Sequence, residues 1–430
     1  MMRKPTRNTY LGTFATSLFI QGCTVLQGIL LARLLGPAGR GEFATVVLWP
    51  NVFAGIGILG VNMAIARFAG QGLDSGGLVK TAVKAALVTG VLSALVCSLL
   101  LPVMLPETKH NLLPSAYLFV SFIPLNHLAL NLQGIDHGGG NFRWLNATRA
   151  LLYPVFFTGI SLCWWFATDK VFWVVVSLLV ANGSVVLLRL SLKLKSFRHS
   201  GYAVTSKALI KESYPFVAAS IIAILYMQMD KALLVWLLAP EEIGWYVAAF
   251  AAAGSVNVLN SALGIVQFSA AAQADPGCGF ASLAKVLRRG GILSLMAGGL
   301  LAALLPWLVP LVYGADFSPA ASIALLLLPG LILAGLGGII NQALCGQGHP
   351  VAGVISKVLG LVVMAWLSVA LADDLGGKGI ACGYLGGELV AFGGSLFIAM
   401  RFYQNATWKT LIPCKMDVKA LLEIVKIKFN

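Results

Sequence analysis

The sequence predicts an all-α polytopic membrane protein with about twelve transmembrane helices in two six-helix bundles. Three observations predict this fold class. Only 11% of the 430 residues are charged while 58% are hydrophobic, long charge-free runs recur along the chain, and basic residues concentrate in alternate connections. A soluble domain does not have this composition. At about 20 apolar residues per crossing, the chain leaves little length for a domain outside the membrane.

Charge-free runs that end at charged or Gly/Pro-rich breaks mark the individual spans. Two boundaries depend on short breaks: Thr168, Asp169 and Lys170 separate the fifth and sixth spans, and the polar segment 346–350 separates the tenth and eleventh. Because turn-forming and charged residues end helices, both breaks favour the even count. The predicted spans are residues 10–32, 43–66, 85–104, 112–134, 148–167, 171–190, 214–238, 243–268, 290–313, 319–341, 351–372 and 379–400.

The distribution of basic residues predicts the orientation. Alternate connections carry 23 Lys and Arg on one side of the predicted membrane and 6 on the other. Because basic loops stay in the cytoplasm, we expect a bacterial inner-membrane protein with both termini cytoplasmic. The net charge of +14 has the same explanation, so nucleic acid is not an expected partner. The uncharged stretch 8–32 is long enough to span, which favours an uncleaved first helix over a signal peptide.

An internal repeat predicts two halves. Residues 30–47 align without gaps on residues 233–250, at the ends of the first and seventh predicted spans. Six helices separate the copies, so the repeat is parallel, and transporters of this kind bind substrate between their repeats. The least common matches are Pro37 and Gly41 with Pro240 and Gly244. The predicted domains are a six-helix bundle (1–190), a basic cytoplasmic linker (191–212), a second six-helix bundle (213–401) and a basic cytoplasmic tail (402–430).

The segment Leu30–Pro50 (LLARLLGPAGRGEFATVVLWP) resembles bacterial oligosaccharide flippases, the polysaccharide-biosynthesis branch of the multidrug/oligosaccharidyl-lipid/polysaccharide (MOP) exporter superfamily. Met229–Ala249 (MDKALLVWLLAPEEIGWYVAA) resembles the matching element of their second half. The resemblance covers the whole chain. It implies a MOP/MATE-like fold and alternating-access movement of an undecaprenyl-pyrophosphate-linked oligosaccharide from the cytoplasmic to the outer leaflet, for surface polysaccharide synthesis. The implied partners are this glycan, membrane lipids, a polysaccharide polymerase and chain-length proteins.

Such a substrate needs arginine or lysine for its phosphates and amide side chains for its sugars. Arg67, Arg143 and Arg149 lie at predicted cytoplasmic helix ends, and Arg33 lies at the outer end of the first helix. The alternative for each is structural, because interfacial arginines usually extend to lipid headgroups. The predicted substrate-binding residues are Gln21, Gln27, Arg33, Asn62, Arg67, Arg143 and Arg149.

Charged residues inside the C-terminal spans are candidates for coupling or gating, because an ionised group in the membrane is costly unless it is paired or hydrated. They are Asp230, Lys231, Lys357 and Glu388. Lys357 lies about 9 Å, and Glu388 about 18 Å, from the cytoplasmic end of its helix. A structural salt bridge between the two and a coupling role both stay open.

Three other functions compete with this hypothesis. One is a peptidoglycan-precursor flippase, although such flippases usually resemble one another in a fourteen-helix plan. Cation-coupled multidrug antiporters of the same superfamily resemble one another in an intramembrane carboxylate in the N-terminal half, and the predicted N-terminal spans contain none. A membrane polysaccharide polymerase would need catalytic carboxylates or a large outer loop, so we expect no enzyme. The seven cysteines have no metal-ligand spacing, so we expect no metal or cofactor.

Overall fold

The computed structural model describes residues 7–72, 75–197, 204–274, 279–347, 349, 352–404, 406–412 and 417. Over these ranges the chain forms fourteen α-helices and no strand. The middle of the predicted linker and most of the predicted tail lie outside the described residues. The helices are α1 (Arg7–Gly57), α2 (Val61–Gly70), α3 (Ser75–Met104), α4 (Leu113–Val120), α5 (Phe122–Gly138), α6 (Phe142–Phe166), α7 (Lys170–Phe197), α8 (Ser206–Leu237), α9 (Pro240–Gly254), α10 (Asn257–Gln273), α11 (Phe280–Tyr313), α12 (Ser318–Gly346), α13 (Ala352–Leu375) and α14 (Gly377–Phe402).

Ten helical stretches of the described chain are long and apolar enough to cross a membrane, whereas the sequence predicts twelve spans. The length of α1 explains part of this difference. With 51 residues, α1 is about 75 Å long, more than twice the thickness of the hydrocarbon core. Gly36 interrupts it with φ +66° and ψ −178°, a conformation that suits glycine. Pro37 then begins a second helical segment, as proline commonly does at a first helical position. α1 therefore contains the first predicted span and much of the second.

The eighth predicted span is also interrupted. α9 ends at Gly254 and α10 begins at Asn257, so segments of 15 and 17 residues are each shorter than the roughly 20 residues that a crossing needs. With α1 counted as two spans and α9 and α10 together as one, every predicted span coincides with helix. The predicted all-α polytopic fold is confirmed, and so are the predicted breaks after α6 and after α12.

The chain divides into two compact units, residues 1–244 (unit 1) and 245–430 (unit 2). In unit 1, α5 packs against α2 and α3, α6 against α7, and α1 against α3, α6 and α8. The predicted seventh span, α8, therefore belongs to unit 1. The division into two six-helix halves at the basic linker stays a prediction.

In unit 2, α12 packs against α10, α11 and α14, and α13 packs against α14. The α13–α14 pair is close because glycines face the other helix: a side chain on Gly387 would meet the Gly360 carbonyl oxygen at 2.7 Å, and one on Gly394 would meet the Ser356 hydroxyl at 2.9 Å. Small residues allow such close approach of transmembrane helices. Where the structure describes the tail, Asp417 is buried and accepts hydrogen bonds from Arg288 (Nε to Oδ2, 2.6 Å) and Arg289 (Nε to Oδ1, 3.3 Å).

Candidate functional site

Several helix ends meet at one end of unit 1, which we call the basic end (residues 61–72, 75–84, 131–149, 189–197 and 204–212). A buried apolar cluster that includes Ile65, Leu78 and Leu132 holds the ends of α2 and α5 against the start of α3. Gly138 on α5 lies directly on the backbone of α2, because a Cβ there would overlap the carbonyl oxygen of Ala66. This close backbone contact therefore fixes the position of α2 along the axis of α5.

Two predicted substrate-binding residues lie on α2 at the basic end. Asn62 is half-buried, and its carbonyl oxygen lies against Gly134 of α5. The Arg67 side chain is 62% exposed and forms an ion pair with Glu212 of α8. Exposed ion pairs contribute at most about 1 kcal/mol, so a phosphate can replace Glu212 at small cost. Arg67 is thus available to an anion.

The other two arginines predicted at cytoplasmic ends lie on α6, in its first turns. Arg143 is exposed, with its guanidinium carbon 5.7 Å from the centre of the Trp144 ring. Arg149 is half-buried and near enough to Arg189 of α7 to act on it electrostatically. The structure therefore brings Arg149 within electrostatic range of a second arginine, which was not among the predicted site residues.

That second arginine belongs to a buried charge cluster, which we define as Gln133 and Asp136 on α5 with Arg189 and Lys193 on α7. The Lys193 ammonium lies 2.5 Å from Asp136 Oδ1, Arg189 Nη1 lies 3.9 Å from Asp136 Oδ2, and Arg189 Nη2 donates to Gln133 Oε1 at 3.3 Å. Asp136 and Arg189 are each only 2% exposed. The sequence does contain a signal for this cluster: Arg189 and Lys193 are four residues apart on a helix and so share a face.

The cluster carries more positive than negative charge. Arg189 and Lys193, with Arg149 nearby, face one carboxylate, that of Asp136. Within the described residues, Nε and Nη1 of Arg189 have no hydrogen-bond partner. Buried donors of this kind carry a substantial desolvation cost. The basic end therefore holds unused donors beside excess positive charge, which is an electrostatic setting for an anion.

The three predicted residues of the first α1 segment do not join the basic end. Gln27 is buried, and its Nε2 donates to the Tyr153 carbonyl oxygen at 2.6 Å, so it ties α1 to α6. Gln21 and Arg33 are exposed. Arg33 lies near the Gly36 break, and the second segment of α1, about 30 Å of helix, lies between that break and α2, which carries Arg67. A role for Gln21, Gln27 and Arg33 in substrate binding stays a prediction.

The first candidate pair for coupling lies on α8 in unit 1. Asp230 is 2% exposed, and the Lys231 ammonium lies 3.8 Å from Asp230 Oδ1. Lys231 also donates to the Met227 carbonyl oxygen at 3.0 Å and to Gln228 Oε1 at 3.1 Å. Lys231 is therefore held by its own helix.

The second candidate pair lies on α13 and α14 in unit 2. Glu388 is buried and Lys357 is half-buried. The close contacts set the register: Ser356 lies opposite Gly394, and Gly360 lies opposite Gly387. This register puts Lys357 and Glu388 about 6 Å apart along the helix axes, which is within the length of a lysine side chain. The geometry is compatible with either proposed role.

One cavity of unit 1 lies away from the basic end. It has a volume of about 690 Å³ between α6 and α7, and its lining includes Val155, Leu162, Phe166, Trp173 and Val180. The lining has no charged side chain, so this cavity suits apolar groups such as lipid chains and not a phosphate. In the described part of the chain, no group of three or more His, Cys, Asp or Glu residues gathers as a metal site would require.

The helices define a multi-pass membrane protein, and comparison with solved structures shows which known proteins share its fold. The chain is similar to the lipid II flippase MurJ in an inward closed conformation, with a TM-score of 0.75, 13% identity, and coverage of 99% of this chain and 93% of that chain. It is also similar to an inward-facing multidrug resistance MATE family transporter of the MOP superfamily (TM-score 0.68, 16% identity, 91% and 98% coverage). A third similar structure is that of the MATE multidrug transporter DinF-BH. Its TM-score is 0.64 and its sequence identity is 15%, and the match covers 92% of this chain and 94% of that chain.

The sequence itself matches the family described as "Polysaccharide biosynthesis protein" over residues 10–272, which is more than half of the chain. The chain therefore belongs to that family, and the resemblance drawn from Leu30–Pro50 is confirmed. No curated protein matches the chain in sequence.

Proposed function

We propose that the protein is a flippase that moves a polyprenyl-pyrophosphate-linked oligosaccharide from the cytoplasmic to the outer leaflet of the bacterial inner membrane, for surface polysaccharide synthesis. The observation that carries this proposal is the excess of positive charge at the basic end, where Arg189 and Lys193 face the carboxylate of Asp136 and Arg149 acts electrostatically on Arg189. Membership of the polysaccharide biosynthesis family supports the glycan, and the MOP fold supports movement across the membrane over covalent chemistry.

Each part of the substrate would meet a different environment. Arg67 and Arg143 are exposed and would attract the pyrophosphate from the membrane surface. Arg149 is half-buried and would take over as the phosphates leave water. The half-buried amide of Asn62 suits sugar hydroxyls. The polyprenyl chain stays in lipid, so only the head group needs a polar path.

The proposed orientation follows from the charge distribution. The basic end, with both termini, would face the cytoplasm, where the lipid-linked glycan is made. A polysaccharide polymerase and chain-length proteins on the outer side would use the released product. Lys357 with Glu388, and Asp230 with Lys231, are our proposed coupling or gating residues, because ionised groups in a membrane bundle respond to protonation and hydration.

A deletion strain tests the proposal. Loss of the protein should abolish a surface polysaccharide while its lipid-linked repeat unit accumulates on the cytoplasmic leaflet. Replacing Arg67, Arg143 and Arg149 by glutamine should reproduce part of this defect without lowering the amount of protein. Lys170→Gln is the matched control, because Lys170 is an exposed cation at the far end of α7. Normal surface glycan in the deletion strain, or a repeat unit that builds up on the outer leaflet, would refute the flippase.

One observation favours a multidrug-type antiporter as a second candidate. The predicted N-terminal spans contain no carboxylate, but α5 continues beyond the fourth predicted span to Gly138 and therefore includes the buried Asp136 near its end. Asp136 lies two residues from the end of α5 and has cations as neighbours, which suits an ion pair better than a proton carrier. An antiporter predicts that the deletion strain becomes sensitive to cationic drugs and that Asp136→Asn has the same effect, whereas the flippase predicts neither.

A further inference from the structure

The two copies of the sequence repeat touch each other through their most distinctive residues. A Cβ on Gly41 would overlap the carbonyl oxygen of Pro240, and a Cβ on Gly244 would overlap the carbonyl oxygen of Pro37. The hydrogen that a side chain would replace therefore points at the proline carbonyl of the other copy in both cases. Such Cα–H to O=C contacts recur where helix backbones approach closely.

The contact is reciprocal, as in an interface with two-fold symmetry. Each proline is the first residue of a helical segment, and each glycine follows its proline by four residues. The glycine of one copy meets the proline of the other, and the exchanged contact is present as well. A residue pair i to j that recurs as j to i is the signature of a two-fold axis between two equivalent segments. The pseudo-two-fold axis of the repeat therefore passes between Gly41 and Gly244.

The chain is interrupted immediately before each copy of this contact. In the first copy the interruption is Gly36, with φ +66°. In the second copy, α8 ends at Leu237 and α9 begins at Pro240, and Leu238 between them is extended (φ −123°, ψ 158°). Breaks of this kind let the helices on either side change direction by small backbone rotations. The two segments can therefore move apart without unfolding the helices that lead to them.

The forces across the contact oppose one another. The backbones fit closely, because each glycine has no side chain to hold it away from the proline carbonyl of the other copy. The carboxylates of Glu42 in the first copy and Glu241 in the second are close enough to repel each other, and Asp169 adds to the repulsion. Lys109 holds the end of α8 from outside the contact by donating to the carbonyl oxygens of Val235 and Leu238. The close fit of the backbones therefore favours the closed contact, whereas the repulsion between the carboxylates favours its opening.

We infer that this glycine–proline contact is a gate: it closes the sparsely basic side of the membrane in the present conformation and parts when the transporter opens to that side. Rocking of two repeats about their shared axis opens one end as it closes the other, and the segments nearest the axis at one end meet in the closed state. The inference rests on the MOP fold and the repeat contact, and holds whichever substrate is carried.

Distance measurements between spin labels test the gate directly. Cysteines at Ala38 and Ala239, which lie beside the two prolines, would carry labels in a background without the seven native cysteines and would leave the repelling carboxylates in place. Purified protein in lipid nanodiscs should show a short distance that matches the closed contact. Gly41→Val should lengthen the main distance and reduce the closed population at least about tenfold, because the added side chain cannot fit against the Pro240 carbonyl. Gly244→Val should do the same through Pro37.

Gly28→Val and Gly254→Val are matched controls, because a Cβ at either position meets nothing within 4 Å. Both should keep the wild-type distance. If Gly41→Val unfolds the protein, Gly41→Ala and Gly244→Ala offer a smaller overlap for the same measurement. A short distance that persists in the folded Gly41 and Gly244 variants would show that the two segments never part, and would overturn the gate.

A reversible cross-link between the same two cysteines provides the functional test. A short bis-thiosulfonate linker should abolish transport, and reduction should restore it, whereas a permanent structural contact would tolerate the linker. Retained transport by fully cross-linked protein would overturn the gate. The distance measurement needs no substrate, so a failure of the flippase proposal and a failure of the gate give different results.

Discussion

Replacing Asp136 by asparagine tests whether the buried charge cluster holds the ends of α5 and α7 together. Asparagine keeps the shape of the side chain but removes the only negative charge in the cluster. Lys193 can turn towards water, because its side chain is 15% exposed, but Arg189 at 2% cannot. The substitution therefore leaves Arg189 as a buried cation without a counter-charge, with Arg149 nearby.

Removing one partner of a buried ion pair costs about 3–5 kcal/mol. We expect a cost at the lower end of this range, because Arg189 Nη1 and Asp136 Oδ2 are 3.9 Å apart and do not share a hydrogen bond. For a unit of this size, 1 kcal/mol lowers the melting temperature by about 2–4 °C, so Asp136→Asn should lower it by about 6–12 °C. Arg189→Gln should also destabilise. The double variant should recover at least about 1 kcal/mol relative to the sum of the single effects, because its members are in contact.

The assay is the intrinsic tryptophan fluorescence of purified protein in one detergent, followed at a fixed heating rate because unfolding of such proteins is often irreversible. Asp169→Asn is the matched control. Asp169 Oδ1 accepts a hydrogen bond from the Phe172 backbone amide at 3.0 Å at the start of α7, and asparagine caps helices equally well. A loss of less than about 2 °C for Asp136→Asn would refute the reasoning, since it corresponds to 1 kcal/mol or less. The reasoning would also be refuted if the melting temperature of the double variant fell by more than the sum of the two single decreases.

Three further predictions concern topology and the remaining buried charges. A single cysteine at the exposed Asp373 should react with impermeant reagents from outside the cell, while one at the exposed Lys207 should not; strong outside labelling of Lys207 would reverse the orientation. Lys109→Met should lower the melting temperature by at least about 4 °C, because two hydrogen bonds from a charged donor to the end of α8 are lost; an unchanged value would show that water replaces them. If Lys357 and Glu388 form a structural pair, Lys357→Met and Glu388→Gln should each reduce the protein yield, and the double variant should restore it. A double variant that is folded but inactive would indicate a coupling role. Additive effects of the two substitutions would exclude a direct pair.

The helices were predictable from the sequence because the charge-free runs are long, but the points where helices bend or continue were not. The predicted break between the first two spans is only a kink at Gly36, since the backbone is helical again from Pro37 onwards. The break between Gly254 and Asn257 lies inside an uncharged run, so hydropathy gives no sign of it. Lys109 lies between the third and fourth predicted spans, but its ammonium is buried on carbonyl groups 126 and 129 residues further along the chain. Such a partner cannot be read from local pattern.

The positions of the candidate residues were easier to predict than their partners. Arg67, Arg143 and Arg149 lie near helix ends as expected, because charged residues set the predicted ends. The Glu212 partner of Arg67 was not foreseen, since it comes from α8 across 145 residues of sequence. Asp136 was missed because the predicted fourth span stopped at residue 134, whereas α5 continues to Gly138 and carries the carboxylate into the packed region. Their roles towards substrate stay predictions.

The close packing of α13 and α14 has a consequence for how the chain enters the membrane. α14 carries Glu388, and one carboxylate near the centre of a helix costs roughly 3 kcal/mol on insertion scales. Only Gly376 separates the two helices, so both can leave the ribosome and reach the translocon as a preformed hairpin. The face of α14 that bears Glu388 would then enter lipid already covered by α13. Membrane integration of the last helix would therefore depend on the helix synthesised just before it.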